Sequence, residues 1–212
     1  MTDSPAVPKV LDWAQRLQAI AQTGLAYEEP TEFDRHRYEQ VREIAAEMLA
    51  HPNGLAEADL VGVFASQTGH ATPKVDVRGV VFREDEILLV RERADGCWTL
   101  PGGWADVGEA PSAAVTREVL EESGYRTRAV KLLALYDRNQ HGHPPHPWHA
   151  WKVVFLCEAL GEEQGTLDPE TLAANFFARD RLPELSLSRV TPRQIDRFLE
   201  HREHPEWPAD FD

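Results

Sequence analysis

Residues 103–124 read GWADVGEAPSAAVTREVLEESG, and the spacing inside this stretch organises the rest of the chain around it. Five residues separate Gly103 from Glu109, and seven more separate Glu109 from the pair Arg117-Glu118. Pro111 suits a first helical turn, where its missing N–H costs nothing, and Gly124 suits a left-handed C-terminal cap. The segment therefore predicts a helix over Pro111 to Ser123. On that helix Glu118 meets Glu121 three residues on and Glu122 four residues on, so three carboxylates share one side. Like charges at this spacing destabilise a helix, and a divalent cation would offset the repulsion. Ala113, Thr116, Val119 and Leu120 fall on other sides and are expected to face a core. Arg117, four residues before Glu121 and next to Glu118, can brace the carboxylates with its planar fork. Gly102-Gly103 lets the backbone turn tightly and brings a bare carbonyl near the helix. A hard cation such as Mg²⁺ accepts carbonyl and carboxylate oxygens and keeps waters for a phosphate substrate. A lone Glu on a helix is normally solvated surface; the spaced set, with a glycine at each end, is what points to chemistry.

Around this helix the pattern is that of strands. Val75 to Phe82 is strand-like, Glu84-Asp85-Glu86 turns the chain, and Ile87 to Val90 returns as the second arm of a hairpin. Trp98 to Leu100 is a short strand that Pro101-Gly102-Gly103 ends. Thr127 to Tyr136 and Trp151 to Leu160 are further strands, separated by a loop rich in His and Pro, and Asn175 to Ala178 is another short one. Thr191 and Pro192 supply an N-cap and first-turn proline for a last helix, about Pro192 to His201. Strands before and after a central helix make this an α/β domain, expected over residues 71–212.

The first seventy residues are expected to form a separate helical domain. Val10-Leu11, Trp13-Ala14, Leu17, Ile20-Ala21 and Leu25 recur at helix spacing. Thr31 with Asp34 signals the start of a second helix, whose stripe is Tyr38, Val41, Ile44-Ala45 and Met48-Leu49. Pro52-Asn53-Gly54 should break it before a shorter stretch, Leu55 to Phe64, and Gln67 to His70 reads as a linker. A helix-turn-helix DNA reader is one reading of this block. Its Arg35, Arg37 and Arg42 are interspersed with acids, which favours a packing or dimerisation module.

Composition narrows the classes. Hydrophobic residues make up 42% and charged residues 27%, enough apolar content to bury a core. No run approaches the roughly 18 apolar residues of a membrane span. The opening MTDSPAVPKVLDW has neither a basic nor an apolar signal region, so a cytoplasmic location is expected. The two cysteines, Cys97 and Cys157, lie far apart and are expected as reduced thiols. A net charge of −14 repels polyanions and argues against duplex DNA as a partner. Clustered carboxylates can still hold cations that in turn hold a phosphate.

The stretch from Gly103 resembles the Nudix box: Gly, five residues, Glu, seven residues, Arg-Glu, an aliphatic, any residue, Glu-Glu, any residue, Gly, an aliphatic. Tyr125 in the final aliphatic position is the single departure. The resemblance implies an α/β/α sandwich with a mixed sheet and the box as a loop-helix-loop. It implies Glu118, Glu121 and Glu122 as ligands for Mg²⁺ or Mn²⁺, joined by the Gly103 carbonyl, with Glu109 holding the loop or an outer water. The implied reaction is hydrolysis of a nucleoside diphosphate linked to another moiety, the attacking water losing its proton to a box glutamate or a more distant one. Trp13 to Leu25, Tyr38 to Leu49 and Tyr136-Asp137-Arg138 are similar to members acting on X-linked nucleoside diphosphates, notably the bacterial CDP-choline pyrophosphatase group. That likeness implies a homodimer assembled through the helical region. ADP-ribose, a nucleoside triphosphate or an RNA end are alternative substrates, and a nucleotide-sensing module without turnover is the rival from another class.

Weaker signals flank the box. His141, His143, His146 and His149, set among prolines, suggest a stiff lip over a substrate pocket, a zinc site or a plain surface loop. Trp98, Trp104, Tyr136 and Trp148 could stack on a base, with Trp104 favoured because it lies in the box loop. Arg138 joins Tyr136 and His143 as a candidate substrate contact. Glu162, Glu163 and Glu170 follow a late strand and could add a ligand or the base, Glu170 being the best placed.

Overall fold

The computed structural model describes residues 9–27, 30–53, 56–162 and 167–212. The opening residues 1–8, Gly54, Leu55 and Glu163 lie outside the described residues. The chain divides into two compact units, one of residues 1–74 with 145–149, the other of residues 75–144 with 150–212.

The first unit holds α1 (Lys9–Ala26), α2 (Glu32–Asn53) and α3 (Glu57–Ala65). Leu11 and Ala14 from α1, Ala45, Ala46, Leu49 and Ala50 from α2, and Leu60 and Phe64 from α3 bury one another. Alanines at these crossings let the helices approach closely, and Phe64 meets the Trp148 ring edge-on at 5.8 Å. The helix expected to break at Pro52 continues to Asn53.

The second unit is a mixed sheet covered on both faces. Its strands are β1 (Lys74–Arg83), β2 (Glu86–Glu92), β3 (Trp98–Thr99), β4 (Tyr125–Asp137), β5 (Ala150–Glu162), β6 (Thr171–Ala178) and β7 (Asp210–Phe211). The order is β3-β2-β1-β5-β4-β7, with β6 also paired to β2. The β1–β2, β2–β3, β2–β6 and β4–β5 pairs are antiparallel, whereas β7 joins β4 in parallel. Strand alternation sends neighbouring side chains to opposite faces. Val77, Val81 and Leu88 pack against Ala114, Val115 and Val119 of α4 (Pro111–Ser123). Val80, Ile87 and Leu89 pack against Ile195, Phe198 and Leu199 of α5 (Pro192–Glu203). A continuous apolar run such as Ile87 to Val90 is what a strand buried on both faces requires. The expected α/β/α sandwich preceded by helices is the fold observed.

Details differ in instructive ways. The core face of α4 is Ala114, Val115, Val119 and Ser123, whereas Ala113 is exposed and Thr116 turns its hydroxyl back onto the Ser112 and Ala113 carbonyls. β6 begins at Thr171 rather than Asn175, because its pairing with β2 runs the full length of that strand. α5 opens on the Thr191–Gln194 capping box and extends to Glu203. Cys97 and Cys157 are free thiols, and burial pushes the Cys157 thiol up to about 12.

Candidate active site

The box helix α4 is positioned from both ends. Pro111 opens it, and Gly124 closes it in the left-handed conformation (φ 74°) with its N–H on the Leu120 carbonyl. Ahead of it the loop is stitched to β1: Val77 N–H donates to the Gly103 carbonyl at 2.8 Å and Gly79 N–H to the Pro101 carbonyl at 2.9 Å. Gly102 sits at φ +138°, where a Cβ would lie 2.1 Å from the Val77 carbonyl oxygen, so no other residue fits there. Its N–H donates to Glu122 Oε2 at 2.8 Å, which ties the loop to the helix.

Arg117 is the hub of the box. Its Nε and Nη2 donate to the two oxygens of Glu109, both at 2.9 Å, and its Nη1 donates to Glu118 and Glu121, again at 2.9 Å each. Glu109 thereby holds the loop through Arg117, and the Arg117 hydrogen bonds keep its carboxyl below the usual range. Burial raises the Glu118 carboxyl against the pull of Arg117. Glu122 is pushed up to about 8 by burial, which the Arg78 charge and the Gly102 N–H offset only in part. The deepest carboxylate of the box is therefore short of positive charge.

These side chains open onto a cavity of about 390 Å³. Gly102, Gly103, Trp104, Asp106, Arg117, Glu118, Glu121 and Glu122 supply its box side. Arg78, Glu92, Asp168, Glu170 and Arg189 complete the lining, and of these only Glu170 carries a signal from its position after a strand. Glu170 is set by backbone bonds: its N–H donates to Asp168 Oδ1 at 2.7 Å, and its carbonyl accepts from Arg93 N at 2.8 Å. Asp168 N–H in turn donates to the Glu121 carbonyl at 2.9 Å. Glu92 is buried and ion-paired to Arg189 at 3.0 Å, with its carboxyl raised by burial.

The donor set suits a hard divalent cation: carboxylates around one cavity with Gly103 in its wall, and Glu122 buried and under-compensated. In this arrangement Arg117 holds Glu118 and Glu121, and among the described residues no three His, Cys, Asp or Glu side chains stand in ligand geometry.

The other candidates lie elsewhere. Tyr136 is buried, donates its hydroxyl to Asp210 at 3.0 Å and stacks on His141 at 3.9 Å. Arg138 is buried and donates to the Pro144 and Ser188 carbonyls at 2.9 and 3.2 Å. His143 points Nδ1 at the Leu187 carbonyl, 2.7 Å away. None of the three lines the cavity, whereas Trp104, 49% exposed, does. The loop histidines make separate contacts, His141 with Asp212 and His146 with the Trp148 carbonyl. Trp98 packs edge-on against Phe177 at 4.7 Å.

Sequence reasoning missed Arg78, Glu92, Asp168 and Arg189. Arg78 lies in β1 with Asp76, to which its Nε donates at 2.8 Å, and Lys152 of β5 bonds the other Asp76 oxygen. Burial opposes the Asp76 charge, yet the two cations hold its carboxyl below the usual range, while burial pulls Lys152 down to about 8. Two charged residues two apart, set among valines inside a strand, were the available signal.

Residues 72–198 match the model of the NUDIX domain. The chain belongs to the Nudix family. Residues 8–64 match a second model, the UDP-X-like N-terminal oligomerisation domain. A provisionally named ADP-ribose pyrophosphatase of Bacillus subtilis (strain 168), YjhB, is 43% identical over 204 residues, covering 96% of this Nudix chain and 97% of the relative. The crystal structure of a UDP-X diphosphatase superposes with a TM-score of 0.61 at 32% identity, over 98% of this chain and all of that one. That of an ADP-ribose pyrophosphatase from Streptococcus suis 89-1591 gives 0.61 at 40% identity, over 66% of this chain and all of that one.

Proposed function

We propose that this Nudix pyrophosphohydrolase cleaves nucleoside diphosphates linked to a second moiety, releasing a nucleoside monophosphate and the phosphorylated partner. The observation that carries the reading is the carboxylate cavity itself: three box glutamates around one space, with Glu122 buried beyond what its neighbours compensate. Glu118, Glu121, Glu122 and the Gly103 carbonyl would hold Mg²⁺ or Mn²⁺, which when bound supplies charge for the phosphate oxygens and a more acidic water. The chain's own groups do the rest. Arg117 and Glu109 keep the loop and helix in register, and the stitched Gly102-Gly103 turn fixes the carbonyl. A water oxygen forms the new bond to one phosphorus, the P–O bond to the bridging oxygen breaks, and a cavity carboxylate takes the water's proton. Glu170 and Glu92 join the box glutamates as candidates for that proton. Trp104, exposed on the cavity rim, suits stacking on the base.

ADP-ribose and CDP-choline are the two substrates to separate. The likeness of the helical region and of Tyr136-Asp137-Arg138 favours CDP-choline; the names of YjhB and of the Streptococcus suis structure favour ADP-ribose. Helices of residues 1–70 would form the homodimer contact and residues 71–212 the hydrolase, a division that the name of the matched N-terminal model supports. The experiment is a panel of ADP-ribose, UDP-sugars, CDP-choline, nucleoside triphosphates and capped RNA at equal concentration with Mg²⁺ or Mn²⁺. Preferred cleavage of a linked diphosphate to the monophosphate is expected. Tight binding of the panel without turnover would replace the enzyme by a nucleotide-sensing module.

A further inference from the structure

The cavity lining carries seven carboxylates against three arginines, a poor match for a substrate that is itself an anion. A cation on the box side answers part of that charge; the remaining phosphate oxygens need a partner of their own. Arg117 is committed through Nε, Nη1 and Nη2 to box carboxylates. Arg78 is buried on Asp76 and the Leu100 carbonyl, beside the charge of Glu122. Arg189 differs. It is part-exposed (28%), its Nε meets Glu92 at 3.0 Å, and its Nη1 meets Ser186 Oγ at 3.1 Å and Asp95 at 3.4 Å.

The backbone carrying Arg189 is fixed from several directions. Ser186 N–H donates to the Trp98 carbonyl at 2.8 Å, and Arg189 and Val190 N–H donate to the Ser186 carbonyl at 2.8 and 2.9 Å. The two residues just before Arg189 are held by His143 and Arg138. His143 Nδ1 sits 2.7 Å from the Leu187 carbonyl, and buried Arg138 donates to the Ser188 carbonyl at 3.2 Å. Burial keeps His143 neutral, its pKa pulled down to about 3, and because the Leu187 carbonyl can only accept, Nδ1 carries the proton. A guanidinium with two of its nitrogens anchored and its backbone pinned loses little freedom when it takes a further oxygen.

We propose that Arg189 is a substrate-binding residue that takes an anionic oxygen of the diphosphate on the part of the cavity the box does not supply, with His143 and Arg138 as positioning residues for its segment. This rests on the reading that the cavity accepts a diphosphate.

The test compares wild type, Arg189→Gln and Arg189→Lys. Each protein is titrated calorimetrically with inorganic pyrophosphate in Mg²⁺, assayed for KM and kcat on the diphosphate that wild type cleaves best, and melted to check folding. Arg189→Gln is expected to weaken pyrophosphate binding and raise KM by roughly tenfold or more, with kcat held within about threefold, and Arg189→Lys to fall between. Unchanged pyrophosphate affinity in a folded Arg189→Gln, or a loss of kcat with KM unmoved in both variants, would reduce Arg189 to a counter-ion for Glu92 and overturn the proposal. Failure of wild type on the whole panel counts against the proposed reaction, whereas the pyrophosphate titration still decides Arg189.

Discussion

Replacing Gly102 by alanine attacks the join between β1 and the box at one atom. The residue sits at φ +138°, and the added Cβ would stand 2.1 Å from the Val77 carbonyl oxygen and 2.9 Å from Arg78 Cα. Both are backbone atoms of a central strand, so no flexible side chain can move aside. Holding alanine in this conformation costs about 1–3 kcal/mol. Separating loop from strand would also lose the Val77–Gly103 and Gly102–Glu122 hydrogen bonds, about 1 kcal/mol each. The sum is about 3–5 kcal/mol, a drop in Tm on the order of 10 °C or more for a unit of this size. Urea unfolding followed by circular dichroism and tryptophan fluorescence reads the stability, and turnover of the preferred diphosphate reads the box. Turnover should fall even in cold buffer where the variant stays folded, because the Glu122 oxygen loses its anchor. Gly62→Ala is the internal control: in α3 nothing lies within 4 Å of its Cβ, so a gain of about 0.4–1 kcal/mol is expected. A Gly102→Ala protein within about 1 kcal/mol of wild type and fully active would refute the reasoning.

Val119 is fully buried between α4 and the sheet, and Val119→Ala should cost about 2–3 kcal/mol in urea unfolding while leaving the box carboxylates in place. His143 has a folded pKa of about 3, lowered first by burial and then by the nearby Lys152 and Arg138 charges, against an unfolded value of about 6.5. A depressed folded pKa means stability that is present above pH 6.5 and is lost as pH falls toward 3, since only the unfolded chain takes the proton. Melting temperatures of wild type and His143→Gln should therefore converge from pH 7 to pH 4, and a gap that stays constant over that range would remove His143 as the cause. Arg117→Met frees Glu109, Glu118 and Glu121 together, so the metal concentration for half-maximal turnover should shift and kcat should fall; an unchanged metal dependence would argue against its bracing role.

Much of the architecture was legible in local pattern. Both ends of α4 are legible because they carry their own chemistry, a first-turn proline and a left-handed glycine. The β1–β2 hairpin and α5 were legible for the same reason, the Glu84-Asp85-Glu86 turn between apolar runs and the Thr191-Pro192 helix start being local signals. β7 was not, since a two-residue strand has no period; it is fixed by Asp210, which gathers Arg197, His201 and Tyr136 from elsewhere in the chain. The same division runs through the site. The box glutamates announce themselves because one helix presents them at fixed spacing. Glu92 and Arg189 reach the cavity through strand pairing and a pinned loop 97 residues apart in sequence. A single Glu or Arg at such a position has no periodicity to mark it, and its role becomes readable only once burial and partners are known.

The most direct test of the account is Mn²⁺ binding by electron paramagnetic resonance alongside turnover of the best diphosphate, in wild type and Glu122→Gln. The substitution keeps the shape and the acceptor for the Gly102 N–H and removes the buried charge. Weakened Mn²⁺ binding in the variant, with turnover lost by a factor of hundreds or more, is the predicted result. Wild-type affinity for Mn²⁺ and wild-type turnover in Glu122→Gln would place the cation on other carboxylates and contradict the central claim.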